Sequence, residues 1–433
     1  MPATATPFHV MAKPLGPICN LKCGYCYYLG KTSLFPAGER FRMNDELLEA
    51  YIRSFIEASP GPIIHFVWHG GEPTLLGLDF YRKVIGLQKR YLPPEWTCVN
   101  NLQTNGVLLD DAWCAFLAEH RFHVGISIDG PARFHDACRI DNAGRPTHQR
   151  VTRALSLMQR HGISPDVLCT LNAVTAPHPV EVYRFFVDHG VRWLQFLPVV
   201  QRTPAGGVSD LSVTPEAMGA FLSTAFDEWV RHDLHRLVVQ TFAECLSVWM
   251  GRPASLCIMA ETCGRALALE RDGSVYSCDH FVEPEHRIGD ISTDALATLI
   301  DAPEQAAFGQ AKRDALPECC KECPVLFACN GGCPKDRFAS APDGQEGLNY
   351  LCAGYRQFYE HVAPYMTRMA NLARRREPVS TIMTELKLQE AADEEPWRTA
   401  SRNDPCPCGS GRKFKRCCQP TYRPRPDPRR LPG

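Results

Sequence analysis

The fold of this chain is decided by ten residues near its start, Pro17-Ile18-Cys19-Asn20-Leu21-Lys22-Cys23-Gly24-Tyr25-Cys26. Within them Cys19, Cys23 and Cys26 form a Cys-x3-Cys-x2-Cys run. Three thiolates can hold three irons of a [4Fe–4S] cube and leave the fourth iron open to a bidentate small molecule. For these residues taken alone, a zinc knuckle or a set of buried thiols is the alternative. The run favours a cluster that binds a small molecule.

The bulk composition points to metal sites. The chain has 433 residues, 21 cysteines and a formal net charge of −1. This charge gives no general reason to expect a nucleic acid or a membrane as partner, and no apolar run is long enough to span a bilayer. Residues 1–9 lack the basic and apolar segments of a secretory signal, so we expect a cytoplasmic protein with reduced thiols. Reduced cysteines in clusters indicate metal ligands.

Residues 1–240 alternate short apolar runs with amphipathic patterns, which predicts an α/β domain with a parallel sheet. The predicted strands include 63–68, 98–103, 123–128, 166–172 and 193–197. The predicted helices between them include 45–58, 79–91, 110–119, 147–161 and 179–189. Many of these strands are followed by glycine or polar residues, at the positions where α/β barrels place ligand-binding loops.

Residues 241–376 are predicted to form a second, cysteine-rich domain. Its continuous apolar pattern is too short for folding by burial alone, so metal ligation is expected to supply the missing free energy. Eight cysteines have ligand-like spacing, and Cys319 is left over. A helix over 355–376 is predicted to close the domain, and residues 377–400 are interpreted as a solvated linker.

The cysteine run resembles the signature of the radical S-adenosylmethionine (SAM) enzymes, and residues 69–73, His-Gly-Gly-Glu-Pro, resemble their GGEP motif. The resemblance implies a partial (β/α)6 barrel in which the open iron chelates SAM and SAM is cleaved to a 5′-deoxyadenosyl radical. For Ser127 and Arg139 alone, a turn hydroxyl and a surface salt bridge are the alternatives to a SAM contact. The SAM contacts that the resemblance implies are Tyr25 at the adenine, Gly71 at the amino group, Ser127 and Arg139 at the ribose or carboxylate, and the backbone near Val200.

The downstream cysteines are similar to those of the SPASM domain, which follows the barrel in peptide-modifying radical SAM enzymes. This resemblance implies two auxiliary [4Fe–4S] clusters, and hence three clusters in the chain. Zinc-type sites are the alternative. Fully ligated clusters are expected to transfer electrons rather than bind the peptide. The first auxiliary set is Cys257, Cys263, Cys278 and Cys333; the second auxiliary set is Cys320, Cys323, Cys329 and Cys352.

Among SPASM proteins the chain most resembles the anaerobic sulfatase-maturating enzymes, notably in residues 276–281 and 349–352. The resemblance implies oxidation of a sulfatase Cys or Ser to Cα-formylglycine, with an unfolded or nascent sulfatase as substrate and a flavodoxin or ferredoxin as reductant. Asp279 follows the ligand Cys278, so we interpret it as the base and expect the anionic cluster to raise its pKa. A hairpin cap is its alternative role. The residues expected to line the barrel mouth are Gln103, His69 and Tyr27.

Two other functions stay open at this point. One is a different peptide modification, such as thioether cross-linking, and the other is a non-catalytic iron–sulfur or zinc adaptor.

Residues 401–420 closely resemble the SEC-C zinc motif. Four cysteines there offer a tetrahedral thiolate set for one zinc ion. Residues 401–433 carry nine Lys or Arg against two Asp, and their last part, 421–433, is a basic Pro-rich tail. This charge suits contact with a chaperone or the ribosome, although a solvated basic face is the alternative. The four cysteines are Cys406, Cys408, Cys417 and Cys418.

Overall fold

The computed structural model describes residues 4, 6–35 and 42–422, so most of the expected basic tail lies outside the described residues. Twelve strands are found in these residues. The strands are β1 (His9–Lys13), β2 (Ile63–Trp68), β3 (Thr97–Thr104), β4 (His123–Ser127), β5 (Asp166–Leu171), β6 (Trp193–Pro198), β7 (Val238–Val239), β8 (Ala266–Glu270), β9 (Ser274–Tyr276), β10 (Arg287–Asp290), β11 (Ala339–Ser340) and β12 (Glu346–Leu348).

Fourteen α-helices connect or flank the strands in the described residues. Short 3-10 turns, a π-turn at Trp229–Asp233 and loops make up the rest. The helices are α1 (Asp45–Ala58), α2 (Leu78–Tyr91), α3 (Asp111–Glu119), α4 (Ala132–Cys138), α5 (His148–Arg160), α6 (Pro179–Asp188), α7 (Pro215–Glu228), α8 (Gln240–Trp249), α9 (Leu296–Ile300), α10 (Pro303–Asp314), α11 (Glu318–Lys321), α12 (Leu326–Cys329), α13 (Cys352–Arg374) and α14 (Thr381–Thr399).

Ten strands form one open sheet in the order β10-β9-β8-β1-β2-β3-β4-β5-β6-β7. Neighbouring strands from β1 to β7 are parallel, and helices lie between them in the chain, as the α/β pattern predicts. Parallel strands need such crossover connections, and their carboxyl ends all meet at one edge. The loops that follow β1 to β6 therefore converge on one end of the sheet.

The first helix shows how the local sequence sets the boundaries. The Asn44 side chain accepts a hydrogen bond from the amide of Leu47 at 2.8 Å and caps α1. Tyr51 and Phe55 on one face of α1 are buried against Phe66 of β2. The apolar face of α1 therefore packs on the buried side chains of β2, and the two form one core.

The cysteine-rich half joins the parallel sheet directly, which was not expected from the sequence. Strand β8 runs parallel to β1 over five residue pairs, from His9 opposite Ala266 to Lys13 opposite Glu270. Strands β9 and β10 then continue the sheet antiparallel. Strands β8 and β9 form a hairpin two residues before Cys278, and this hairpin extends the parallel sheet.

The closing helix α13 lies against α7 of the barrel. Two glycines allow the close approach: a Cβ added at Gly354 would lie 2.0 Å from the carbonyl oxygen of Pro215, and one added at Gly219 would lie 2.9 Å from the oxygen of Gly354. Phe221, Phe358 and Met366 are buried in the same core cluster.

The segment expected to be a solvated linker, 377–400, contains a helix, α14, which occupies Thr381–Thr399 and is mostly exposed or half-buried. Its central part, residues 385–392, consists of Glu, Leu, Lys, Gln and Ala, which all favour helix. Ion pairs connect the helix to the rest of the chain, from Arg231 to Glu390 at 2.8 Å and from Arg368 to Glu385. No helix in the part of the chain that the structure describes is long and apolar enough to cross a membrane.

Candidate active site

The three cysteines of the first run lie in the loop that follows β1, at the carboxyl end of the sheet. The loop is held by backbone hydrogen bonds from Lys22 to Ile140 at 2.8 Å and from Gly24 to Cys138 at 2.9 Å. Burial raises the pKa of Cys19 to about 12 and the pKa of Cys23 to about 11. Thiols in such surroundings bind a metal as thiolates because the metal charge offsets the cost of burial, so the donor set fits an iron–sulfur cluster.

The glycine pair after β2 packs on this cysteine loop. The amide of Gly71 donates to the carbonyl of Gly16 at 2.8 Å, and the amide of Glu72 donates to Ile18 at 2.9 Å. A Cβ at Gly71 would lie 2.0 Å from the Ile18 oxygen, so only glycine fits. Gly71 thus positions the cysteine loop, while its expected contact with the SAM amino group stays a prediction.

Glu72 is a fully buried carboxylate that joins the loops after β2 and β3. It accepts hydrogen bonds from the Thr104 hydroxyl and the Asn105 amide, both at 2.7 Å. The Asn105 side chain in turn donates to Asn20 in the cysteine loop at 2.7 Å. This chain of hydrogen bonds fixes the three loops relative to one another.

Asp129 is a central residue that the sequence analysis missed. Its carboxylate accepts from Arg139 Nε at 2.9 Å, from the Thr170 amide at 2.9 Å, and from the Tyr25 hydroxyl. Burial alone would raise the pKa of Asp129, but the Arg139 guanidinium holds it below its ordinary value. The signal for Asp129 was its place two residues after the end of β4, at the carboxyl edge of the sheet.

Arg139 does not form the surface salt bridge that was its alternative role, because it is 7% exposed and its ion pair with Asp129 is buried. Its guanidinium carbon lies 5.4 Å from the centre of the Tyr25 ring. The structure therefore brings Tyr25 and Arg139 together beside Cys23.

Ser127 and Val200 also lie at this edge of the sheet. The Ser127 hydroxyl accepts a hydrogen bond from Gln103 Nε2 at 3.2 Å, so it joins the ends of β3 and β4. Val200 is half-buried two residues after β6 and packs on the core. Both positions suit a ligand at the carboxyl ends of the strands, and their SAM contacts stay predictions.

Asp279 lies between the two halves of the chain. Its carboxylate is paired with the Lys13 ammonium and accepts a hydrogen bond from the Tyr27 hydroxyl, the residue next to Cys26. The Lys13 side chain is fully buried, and that of Asp279 is 14% exposed. Asp279 therefore connects the surroundings of the first cysteine run with Cys278 of the first auxiliary set.

The neighbouring protein groups lower the pKa of Asp279, whereas a rise was expected. Burial would raise this pKa, but the charge of Lys13, helped by His280 and His69, holds it well below its ordinary value. The expected rise took account of the cluster alone, whereas the pairing of β1 with β8 brings the Lys13 ammonium to this carboxylate. Asp279 is thus an ionised carboxylate with two donors already bound to it.

Lys13 is itself embedded in aromatic and acidic groups. Its ammonium lies 3.7 Å from the centre of the Tyr28 ring. The Tyr28 hydroxyl donates to Glu270, the residue opposite Lys13 in the sheet. Burial raises the pKa of Glu270 to about 7, against the opposing effect of Lys13.

Several of the downstream cysteines lie near one another, while their division into two ligand sets stays a prediction. Beyond the effect of burial, the pKa of Cys278 is raised by nearby Cys333 and Cys257. The pKa of Cys329, in the expected second set, is likewise raised by burial and by nearby Cys352 and Cys323.

The leftover cysteine belongs to the second group in space. Cys319 lies beside both Cys320 and Cys352, whose pKa values are raised first by burial and then partly by these neighbouring thiols. Cys320 is buried and Cys319 is partly exposed, and the assignment of Cys320 as the ligand stays a prediction.

Comparison with known proteins agrees with this geometry. The Radical SAM superfamily model matches residues 14–185, the SPASM iron–sulfur cluster-binding domain matches 257–324, and the SEC-C motif matches 402–420. A serine-type anaerobic sulfatase-maturating enzyme from Bacteroides thetaiotaomicron is 42% identical over 88% of this chain and 96% of the relative. The chain belongs to the anaerobic sulfatase-maturating enzymes.

Other members of the family are also similar to this sulfatase-maturating enzyme. A cysteine-type relative from Clostridium perfringens is 33% identical over 84% of this chain and 99% of the relative. The solved structure of native anSMEcpe with bound AdoMet and Cp18Cys peptide aligns with a TM-score of 0.76 at 33% identity, again over 84% and 99% of the two chains. The predictions of a radical SAM enzyme, of this family, and of SPASM and SEC-C domains are confirmed.

The SEC-C part of this sulfatase-maturating enzyme has the geometry of a single-ion site. The Sγ atom of Cys417 lies 3.6 Å from that of Cys408 and 3.7 Å from that of Cys418. A tetrahedral zinc with Zn–S bonds of about 2.3 Å separates its sulfurs by about 3.8 Å. Among the described residues, only Cys406 and these three bring at least three such ligand atoms within 4.8 Å of one another.

Proposed function

We propose that this enzyme oxidises a Cys or Ser side chain of a sulfatase polypeptide to Cα-formylglycine, with Asp279 as the base. The observation that carries the proposal is the position of Asp279, next to Cys278 in sequence and bound to Lys13 and to Tyr27 in space. A base and an electron acceptor are needed at the same substrate atom, and this position offers both.

The overall reaction removes a hydrogen atom from the substrate Cβ, a proton from its sulfur or oxygen, and one electron. These losses leave a C=S or C=O double bond, and water replaces the sulfur when the target is cysteine. SAM bound at the first cluster supplies the radical that takes the hydrogen atom. The chain's own task is to hold the substrate heteroatom at Asp279 and to receive the proton there.

Each predicted site residue takes a defined part in this proposal. Cys19, Cys23 and Cys26 would hold the first cluster, and the two auxiliary sets would hold two more, which receive the substrate electron. Cys406, Cys408, Cys417 and Cys418 would hold zinc, since their sulfur spacing suits one ion. The SAM contacts would come from Tyr25, Gly71, Ser127, Arg139 and Val200.

The partners follow from the same chemistry. The substrate would be an unfolded or nascent sulfatase, because its target side chain must reach Asp279, and a flavodoxin or ferredoxin would reduce the first cluster. The 42% identity to a serine-type relative favours serine as the target. The basic residues near the zinc motif would contact a chaperone or the ribosome.

The substitution Asp279→Asn tests the assignment. We expect D279N to keep its iron and its cleavage of SAM but to form no formylglycine, because the amide cannot accept the proton. The matched control is E283Q, which changes a half-exposed carboxylate paired with Lys31 at 3.2 Å and should leave the product yield unchanged. Normal formylglycine formation by D279N would sink the assignment.

Mass spectrometry of short peptides separates this function from thioether cross-linking. Peptides of the form Cys-x-Pro-x-Arg and Ser-x-Pro-x-Arg would be incubated anaerobically with the enzyme, SAM and a reductant. An aldehyde that reacts with a hydrazine probe supports formylglycine. Loss of two hydrogens from the cysteine peptide with its sulfur retained would support the thioether alternative instead.

A further inference from the structure

The loop between Cys329 and Cys333 joins the two auxiliary sets, since Cys329 belongs to the second set and Cys333 to the first. Its three inner residues all have positive φ angles, 44° for Asn330, 69° for Gly331 and 61° for Gly332. The backbone carbonyls of these residues form no regular secondary structure, so they need other hydrogen-bond donors.

Arg337 supplies these partners. Its Nε donates to the Gly331 carbonyl at 3.0 Å, its Nη2 donates to Asn330 at 2.9 Å, and its Nη1 donates to the carbonyl of Lys312 on α10. A Cβ at Gly331 would lie 2.6 Å from Arg337 Nη2, which shows how closely the loop and the guanidinium pack. One side chain thus clamps the loop that carries a ligand of each set.

The charge of Arg337 reaches both sets. It interacts with Cys320 and Cys329 of the second set and with Cys263 and Cys333 of the first. Lys312 adds a second cation at the same place: it is 1% exposed, its ammonium donates to the carbonyl of Ala260, and it too interacts with Cys257, Cys263 and Cys329. An arginine keeps its charge at every working pH, and desolvated surroundings screen it weakly.

We infer that Arg337 is a positioning residue that holds the loop between the auxiliary clusters and raises the reduction potentials of both. The inference rests on the proposed function, because it takes the two ligand sets as clusters. A fixed positive charge stabilises the reduced, more negative form of a cluster and so favours its acceptance of the substrate electron. The buried Lys312 acts in the same direction from α10.

The test is a redox titration of the complete enzyme, followed by electron paramagnetic resonance, together with iron and sulfide analysis. R337Q removes the charge but keeps a hydrogen-bond donor, and R337K keeps the charge. In a medium of effective dielectric about 20, a unit charge about 12 Å away changes the equilibrium constant for reduction about tenfold, or about 59 mV for one electron. We expect R337Q to lower both auxiliary potentials by about this amount, and R337K to stay close to the wild type.

The control is R356Q, which removes an exposed arginine that is paired with Glu360 at 2.7 Å. Arg356 interacts with Cys323 and Cys352 of the second set alone and is exposed to solvent. Its loss should shift one auxiliary potential slightly and leave the other unchanged. The cluster at Cys19, Cys23 and Cys26 serves as an internal reference in every variant.

Each outcome bears on the inference. Unchanged auxiliary potentials in an R337Q enzyme with full iron would overturn it. R337Q could lose auxiliary iron, and R337K then decides the question. If R337K keeps the iron and the wild-type potentials, the role of the charge is supported. If R337K loses as much iron as R337Q, the inference is overturned. Wild-type enzyme with the iron of a single cluster would instead overturn the proposed ligand sets, so the two failures are distinguishable.

Discussion

Replacement of Gly71 by alanine should disable the first cluster without unfolding the enzyme. The added Cβ would start 2.0 Å from the Ile18 carbonyl oxygen and 2.4 Å from its carbon, whereas real Cβ atoms essentially never approach within 3.0 Å. Both neighbours are backbone atoms one residue before Cys19, so the cysteine loop must move by about 1 Å. A misplacement of about 1 Å in a reacting site costs about a hundredfold in rate.

The assay is iron and sulfide content after anaerobic reconstitution, and the rate of SAM cleavage under reducing conditions. We expect G71A to lose up to about a third of the cluster iron, because one of three proposed clusters is affected, and SAM cleavage to fall about a hundredfold or more. The auxiliary sets should stay loaded, since no residue near them changes.

Gly86 provides the matched control. It lies exposed in α2, and nothing within 4 Å would meet a new Cβ. G86A should keep its iron and its SAM cleavage and gain about 0.5–1 kcal/mol of stability from the better helix former. If G71A matched the wild type in iron content and in SAM cleavage, the argument that Gly71 positions the cysteine loop would fail.

Two further results are expected. Lys13→Met should lower the melting temperature measured anaerobically, because it leaves two buried carboxylates, Asp279 and Glu270, without their cation, at a cost of about 3–5 kcal/mol. Adding Glu270→Gln should recover part of this loss. No recovery in the double variant would contradict this account. Cys406→Ser should remove the bound zinc, as measured by metal analysis, and keep the iron and the SAM cleavage, because the proposed zinc ligands are not shared with the clusters. Loss of iron in this variant would argue for a different metal assignment.

The local elements of the fold were predictable because their signals are local. Ile63–Trp68 and Asp45–Ala58 occur as expected, since alternating and helical apolar patterns record which face is buried. The cysteine spacings were equally readable at the level of the family, since the radical SAM, SPASM and SEC-C models match segments that carry most of them. In segment 377–400 the charge indicated exposure but not the helix, because an exposed segment can also be helical, as α14 is.

Contacts between distant segments could not be predicted in the same way. Asp129 and Arg139 form a buried pair although an arginine in a polar stretch looks like a surface residue. Lys13 ends a strand whose other residues are mostly apolar, and nothing in its neighbours indicates a partner 266 positions away. The sequence of a strand does not indicate which other strand lies beside it, because the strands of a parallel sheet are apolar on both faces and resemble one another.

In the proposed function, the pairing of β8 with β1 is what lets two chemically separate halves act on one substrate atom. Lys13 is the last residue of β1 and stands six positions before Cys19, while Glu270 opposite it stands eight positions before Cys278. Because backbone hydrogen bonds fix these two strands in register, the first cysteine loop and the auxiliary ligand Cys278 depart from neighbouring points of one sheet. Asp279 is then held at the junction by Lys13 from one half and by Tyr27 from the loop. A flexible joint between the halves would lose this alignment, so continuity of the sheet is itself a requirement of the proposed reaction.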